Sequence, residues 1–123
     1  IGSLNFAHNI NFKYKNFKTL MGSLNHKPIR SLKLVGCGIV FGEFNANILN
    51  SLQWSNLQEL FIGDNIIRVL ESDAFSNVSS LKLLYVSNFM QFSPQFLEPL
   101  QASLEELIID STILHNIADT KYR

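Results

Sequence analysis

The chain has 123 residues, enough for one domain, and with 46% apolar against only 16% charged residues it can bury a substantial core. Lysine plus arginine and aspartate plus glutamate number 10 each, so the basic excess that nucleic acid or an anionic membrane surface would favour is missing. A lone cysteine, Cys37, excludes an internal disulfide, and without a second cysteine or clustered histidines there is no zinc spacing.

From its first residue the chain carries a spacing that recurs. "IGSLNFAHN" from Ile1 places Ile1, Leu4 and Phe6 at its first, fourth and sixth positions. "NFKTLMGSL" follows, with Phe17, Leu20, Met21 and Leu24 at helical spacing, which predicts a short helix. "IRSLKLVGC" from Ile29 repeats the first pattern, and in "FNANILNSL" the residues Phe44, Ile48, Leu49 and Leu52 predict a second short helix. "LQELFIGDN" from Leu57 leads into "LESDAFSNVSSL", which packs Leu70, Phe75 and Val78 into a tighter, turn-rich return. "LKLLYVSNF" from Leu81 precedes "SPQFLEPLQASL", where Pro94 and Pro99 limit any helix, and "LEELIIDST" begins at Leu104.

The units start 28, 28, 24 and 23 residues apart, and all fifteen of their first, fourth and sixth positions are apolar. Chance would give that with a probability on the order of 10⁻⁵, before any choice of register. The fourth and sixth positions of each unit point the same way from a short strand, and the residue between them faces the other side. Strands joined by crossovers of this length run parallel, and stacking is how each unit covers its apolar side. The expected product is an α/β coil with one curved parallel sheet inside and helices and turns outside, its curvature changing along the chain.

These residues resemble the leucine-rich repeat family over nearly the whole chain. "LQELFIGDNIIRVLESDAFSNVSSLKLL" is similar to the typical animal extracellular subtype, with its pattern LxxLxLxxNxIxxLxxxAFxxLxxL. The resemblance implies a single repeat domain over residues 1–123 and a ladder in which the asparagine after each strand bonds neighbouring backbone. Asn9 and Asn65 match that position, and Cys37 and Thr112 are accepted substitutes. The fourth unit departs: Phe89 stands there, with Asn88 one residue early and Gln91 where an aliphatic residue is expected, so the ladder is expected to break or bulge. No capping segment is visible at either end, so the chain is expected to be a fragment of a longer protein.

The residue between the fourth and sixth positions faces the concave side, and that column reads Asn5, Lys33, Phe61, Tyr85, Ile108. Beside it, at the third position, run Ser3, Ser31, Glu59, Leu83 and Glu106. Phe61, Tyr85, Ile108 and Leu83 predict a contiguous apolar patch rimmed by Glu59, Glu106 and Asp110, the makeup of an interaction surface. Cover by a neighbouring segment, a dimer mate or solvent is the plainer alternative.

Asn77-Val78-Ser79 is the only N-x-S/T sequon and falls on a return segment; with the extracellular subtype it points to a secreted or cell-surface glycoprotein. Cys37 reads as a buried structural thiol. His8, His26 and His115 pair with no serine or acid at a recognisable spacing, and "GCG" at 36–38 lacks the further glycine and lysine of a phosphate loop.

No enzyme activity and no cofactor are expected. No apolar run approaches the ~20 residues that span a bilayer, and "IGSLNFAHNINF" lacks a signal-peptide layout. Lys13, Lys15, Lys18, Lys27, Arg30 and Lys33 precede the first acid, Glu43, so one end is basic and the rest acidic. The plainest reading of that asymmetry is solvated faces.

By analogy with the family, the expected function is protein recognition through the concave sheet. The alternatives are a structural or assembly subunit that associates with copies of itself or with a larger complex, and an accessory subunit of an enzyme.

Overall fold

The computed structural model describes residues 2–110 apart from His26 and Trp54, and of Asp110 the backbone alone. Ile1, Thr112 and His115 therefore lie outside the described residues, as do the side chains of His26 and Asp110. Over the described residues the chain is mixed α/β, with parallel strands in two sheets and no closed barrel.

In chain order the strands are β1 (Ser3–Asn5), β2 (Ser31–Lys33), β3 (Val40–Phe44), β4 (Glu59–Phe61), β5 (Ile66–Leu70), β6 (Leu83–Ser87), β7 (Phe89–Phe92) and β8 (Glu106–Asp110). The larger sheet runs β1-β2-β4-β6-β8 and the smaller β3-β5-β7. Each unit found in the sequence thus gives one strand to the larger sheet, all in the same register. Leu4, Leu32, Leu60, Leu84 and Leu107 lie in one row across it. From Leu32 onward that row is buried, as are Leu34, Ile62 and Val86 two residues further along their strands.

The smaller sheet was not expected. What directs the chain into it is a column of left-handed residues at the eighth position of the units: His8 (φ 63°), Gly36 (φ 67°), Asp64 (φ 57°) and Asn88 (φ 58°). Glycine reaches that region without cost, and Asn, Asp and His are the side chains that best tolerate it. The residue then turns the backbone sharply out of the first strand. Strand β7 starts directly after Asn88, whereas one residue separates Asp64 from β5 and three separate Gly36 from β3. That varying offset hides the second strand from a fixed-spacing alignment.

Between the sheets and the returns runs a file of buried phenylalanines. Ring centroids are 5.1 Å apart for Phe17–Phe41, 4.9 Å for Phe41–Phe44, 5.6 Å for Phe44–Phe75 and 6.3 Å for Phe75–Phe96. Such edge-to-face and tilted pairs add about 0.5–1.5 kcal/mol each beyond the area they bury.

The first return is the expected helix, α1 (Tyr14–Ser23), which buries Phe17 and Met21. Its start is held by Asn16, whose Oδ1 accepts from the Lys13 backbone N–H at 3.0 Å. The second expected helix is not formed: after β3 the chain turns and makes only one 3-10 turn, Asn50–Leu52. The cause is local, since Asn45 Oδ1 accepts from the Asn47 N–H at 3.0 Å and so offers the backbone a turn in place of a helical start. The third return is a 3-10 turn over Ser76–Val78, and the fourth a longer 3-10 segment, Pro94–Leu100, which carries Pro99 and buries Phe96, Leu97 and Leu100.

Candidate binding face

The side chains of the larger sheet that alternate with its buried leucines face away from the core. On that face the register brings Asn5, Lys33, Phe61, Tyr85 and Ile108 into one row. It brings Ser3, Ser31, Glu59, Leu83 and Glu106 into a second row beside it. Phe61, Tyr85 and Leu83 are half-buried, Ile108 is 39% exposed, Glu59 is half-buried and Glu106 exposed. The backbone of Asp110 pairs with Ser87 at the end of β8, and the position of its side chain lies outside the described residues.

Contacts with neighbouring strands and turns hold the aromatic side chains of this face. The Lys33 Nζ stands 5.1 Å from the centre of the Phe61 ring, a cation–π contact that closes the row on its basic side. The Tyr85 ring lies against Gly63, where a β-carbon would collide with three of its ring atoms. Gly63 is therefore part of the face, although no pattern in its own unit marks it. Beside these rings Gln58, Glu59, Lys82, Leu83, Glu105 and Glu106 line a cleft of about 470 Å³. Ser31 is buried in the second row, and among the described residues its Oγ has no hydrogen-bond partner.

Asn65 is buried behind the third strand and bonds two units at once. Its Nδ2 donates to the carbonyls of Leu34 (2.8 Å) and Ile62 (3.0 Å), with that of Gly63 at 3.2 Å. Its Oδ1 accepts from the N–H groups of Cys37 (3.1 Å) and Ile39 (3.0 Å). Cys37 is fully buried, and its thiol lies 3.0 Å from the Phe6 carbonyl, which corresponds in the first unit to the Leu34 carbonyl in the second.

Asn9 does not join this set: it is exposed, and among the described residues its side chain makes no such bond. At Phe89 the ring is buried and takes the place of an amide, while Ser87 Oγ accepts from the Asp64 N–H at 2.7 Å and ties the two turns together there. Gln91 is exposed, and β7 pairs without a bulge. Thr112 lies outside the described residues.

Asn77 sits in the third return, half-buried, with Nδ2 donating to the Ala46 carbonyl at 2.7 Å. The nitrogen that would carry a glycan thus also joins two successive returns. His8 is exposed, its ring against Gly36.

The sequence reading missed a second apolar surface. Ile10 (68% exposed), Val40 (44%), Ile66 (40%) and Met90 (61%) lie on the side of the molecule formed by the smaller sheet and the turn before α1. Val40 and Ile66 are register partners on β3 and β5.

Among the described residues no helix is long and apolar enough to cross a membrane, and no three His, Cys, Asp or Glu residues gather as metal ligands. Neither the family comparisons, nor the curated proteins, nor the solved structures give a match to this chain.

Proposed function

We propose that the chain is a leucine-rich repeat solenoid serving as a non-catalytic recognition module of a secreted or cell-surface protein, and that it binds a protein ligand through the concave face of its larger sheet. One observation carries the reading: the common register sets Phe61, Tyr85 and Ile108 side by side on that face with Leu83 next to them. Aromatic anchors at the centre of an interface contribute ~2 kcal/mol or more each when covered. The rim of Glu59, Glu106 and Lys33 supplies the polar border that such patches carry. The two-way bonding of Asn65 and the thiol of Cys37 support the family assignment, because a ladder of that kind is what the repeat requires.

Affinity capture from the native source, with partners identified by mass spectrometry, tests the reading. A partner held by the natural chain and lost by the double variant Phe61→Ala/Tyr85→Ala, with unchanged circular dichroism, supports it. Retention of every captured protein by the variant removes the concave face as the binding surface.

A second reading, an assembly subunit that packs against copies of itself or another subunit, is favoured by the exposed set Ile10, Val40, Ile66 and Met90. Parallel sheets are normally covered on both faces, and among the described residues nothing covers Val40, Ile66 and Met90 on the outer face of the smaller sheet. Loss of concentration-dependent association in Val40→Ser/Met90→Ser, seen by light scattering, would select this reading.

A further inference from the structure

We propose that the segment bound on the larger sheet is an extended strand carrying an arginine two residues from an apolar side chain, an inference that rests on the recognition reading above. The two rows of the face differ in chemistry. Across β4, β6 and β8 one row is Glu59–Leu83–Glu106 and the other is Phe61–Tyr85–Ile108. Strands stand about 4.8 Å apart, so Glu59 and Glu106 straddle Leu83 with their α-carbons about 10 Å from one another. Leu83 and Tyr85 are two residues apart on β6, about 7 Å, which is also the spacing of residues i and i+2 on one side of an extended chain.

A segment lying along β6 therefore sets one side chain over Leu83 and the next but one over Tyr85. The first of these meets a strip of apolar surface with a carboxylate on either side. Glu105 adds a third carboxylate to the same cleft and Lys82 is the one cation among the described residues that line it, so three negative charges face one positive there. Arginine fits this arrangement best. Its aliphatic stem lies on leucine and its planar guanidinium offers five donors to two separate carboxylates, where lysine presents a single point charge. The second side chain meets Phe61, Tyr85 and Ile108 and must be apolar or aromatic. Lys33, held over Phe61, borders the row on the β2 side and repels a cation placed there, so the arginine is directed to the Leu83 row.

The test uses the 123-residue chain and the synthetic peptides Gly-Ser-Arg-Thr-Phe-Ser-Gly and, for the opposite chain direction, Gly-Ser-Phe-Thr-Arg-Ser-Gly, with controls in which Arg becomes Glu, Arg moves next to Phe, or Phe becomes Ser. By fluorescence anisotropy the better-binding parent peptide is expected to bind about tenfold tighter than its Glu counterpart and to lose most of that advantage in 0.5 M salt, where the Debye length falls to roughly 4 Å. Glu59→Gln/Glu106→Gln, both on the surface of the sheet, removes the arginine preference while the folded circular dichroism stays unchanged. Equal binding of the Arg and Glu peptides, a preference that survives in Glu59→Gln/Glu106→Gln, or no arginine-dependent binding at all overturns the proposal. The recognition reading is judged separately, by whether Phe61→Ala/Tyr85→Ala loses the partner captured from the native source.

Discussion

The Tyr85 ring occupies the space where a side chain on Gly63 would begin, so one residue of the third unit fixes an aromatic side chain of the fourth. Gly63 has no left-handed backbone to protect, and the contact alone forbids a methyl group there. Gly63→Ala is expected to displace Tyr85 and weaken partner binding about as much as Tyr85→Ala does. In a double-mutant cycle the two changes are strongly non-additive, since Gly63→Ala costs almost nothing once the ring is gone. Additive losses would show that the methyl group acts on something other than Tyr85.

Asn65→Ala leaves the N–H groups of Cys37 and Ile39 and the carbonyl of Leu34 buried without their partner. Each such group costs about 1–3 kcal/mol, so a loss of ~3 kcal/mol or more is expected in urea denaturation. The exposed Asn9, changed to Ala, is expected to stay within about 0.5 kcal/mol of the natural chain.

Phe75 is fully buried between Phe44 and Phe96. Phe75→Ala opens a cavity in the middle of the phenylalanine file and is expected to cost ~3–5 kcal/mol in the same assay. Met90→Ala, on the exposed outer side of β7, is expected to change stability by less than about 0.5 kcal/mol.

Asn77→Gln and Ser79→Ala both destroy the sequon, yet they differ structurally. Asn77 loses its bond to the Ala46 carbonyl, and Ser79 is exposed. In protein made in bacteria, where no glycan is attached, Asn77→Gln is expected to lower stability by about 1 kcal/mol and Ser79→Ala by less than half of that. Equal melting temperatures for the two variants would show that the Ala46 bond contributes nothing.

Cys37 is fully buried with its thiol against the Phe6 carbonyl, so it is expected to resist alkylation in the native chain and to react at once in denaturant. Labelling with iodoacetamide, read by mass spectrometry, distinguishes the two. Native-state labelling at the rate of a free thiol would contradict its position.

Much of the larger sheet could be read from the residues because each strand is marked twice, by an apolar pair two residues apart and by a constant distance to the next turn. That is why Phe61, Tyr85 and Ile108 could be lined up before any coordinates. The smaller sheet left no such mark. Val40, Ile66 and Met90 are exposed and Ile67 and Phe89 buried, but the gap between turn and strand changes from unit to unit. The column His8, Gly36, Asp64, Asn88 could have been found, since all four are types that accept a left-handed backbone. Asn88 looked instead like a misplaced Asn65. The segment from Phe44 to Leu52 has helical spacing but also Asn45 and Asn47, and side-chain bonding to the turn outweighed periodicity. Gly63 was invisible because its partner is a ring from another unit.

Among the described residues, every strand of the larger sheet bonds only to the strands of the units immediately before and after it in the chain. A pulling force along the stacking direction therefore meets one seam at a time, with no strand clamped between distant parts of the sequence. Stretched in a single-molecule experiment, such a molecule yields in steps, each releasing one unit of 23–28 residues, or roughly 80–100 Å of extended chain. It behaves as a row of latches in series, and its resistance to tension is that of its weakest seam.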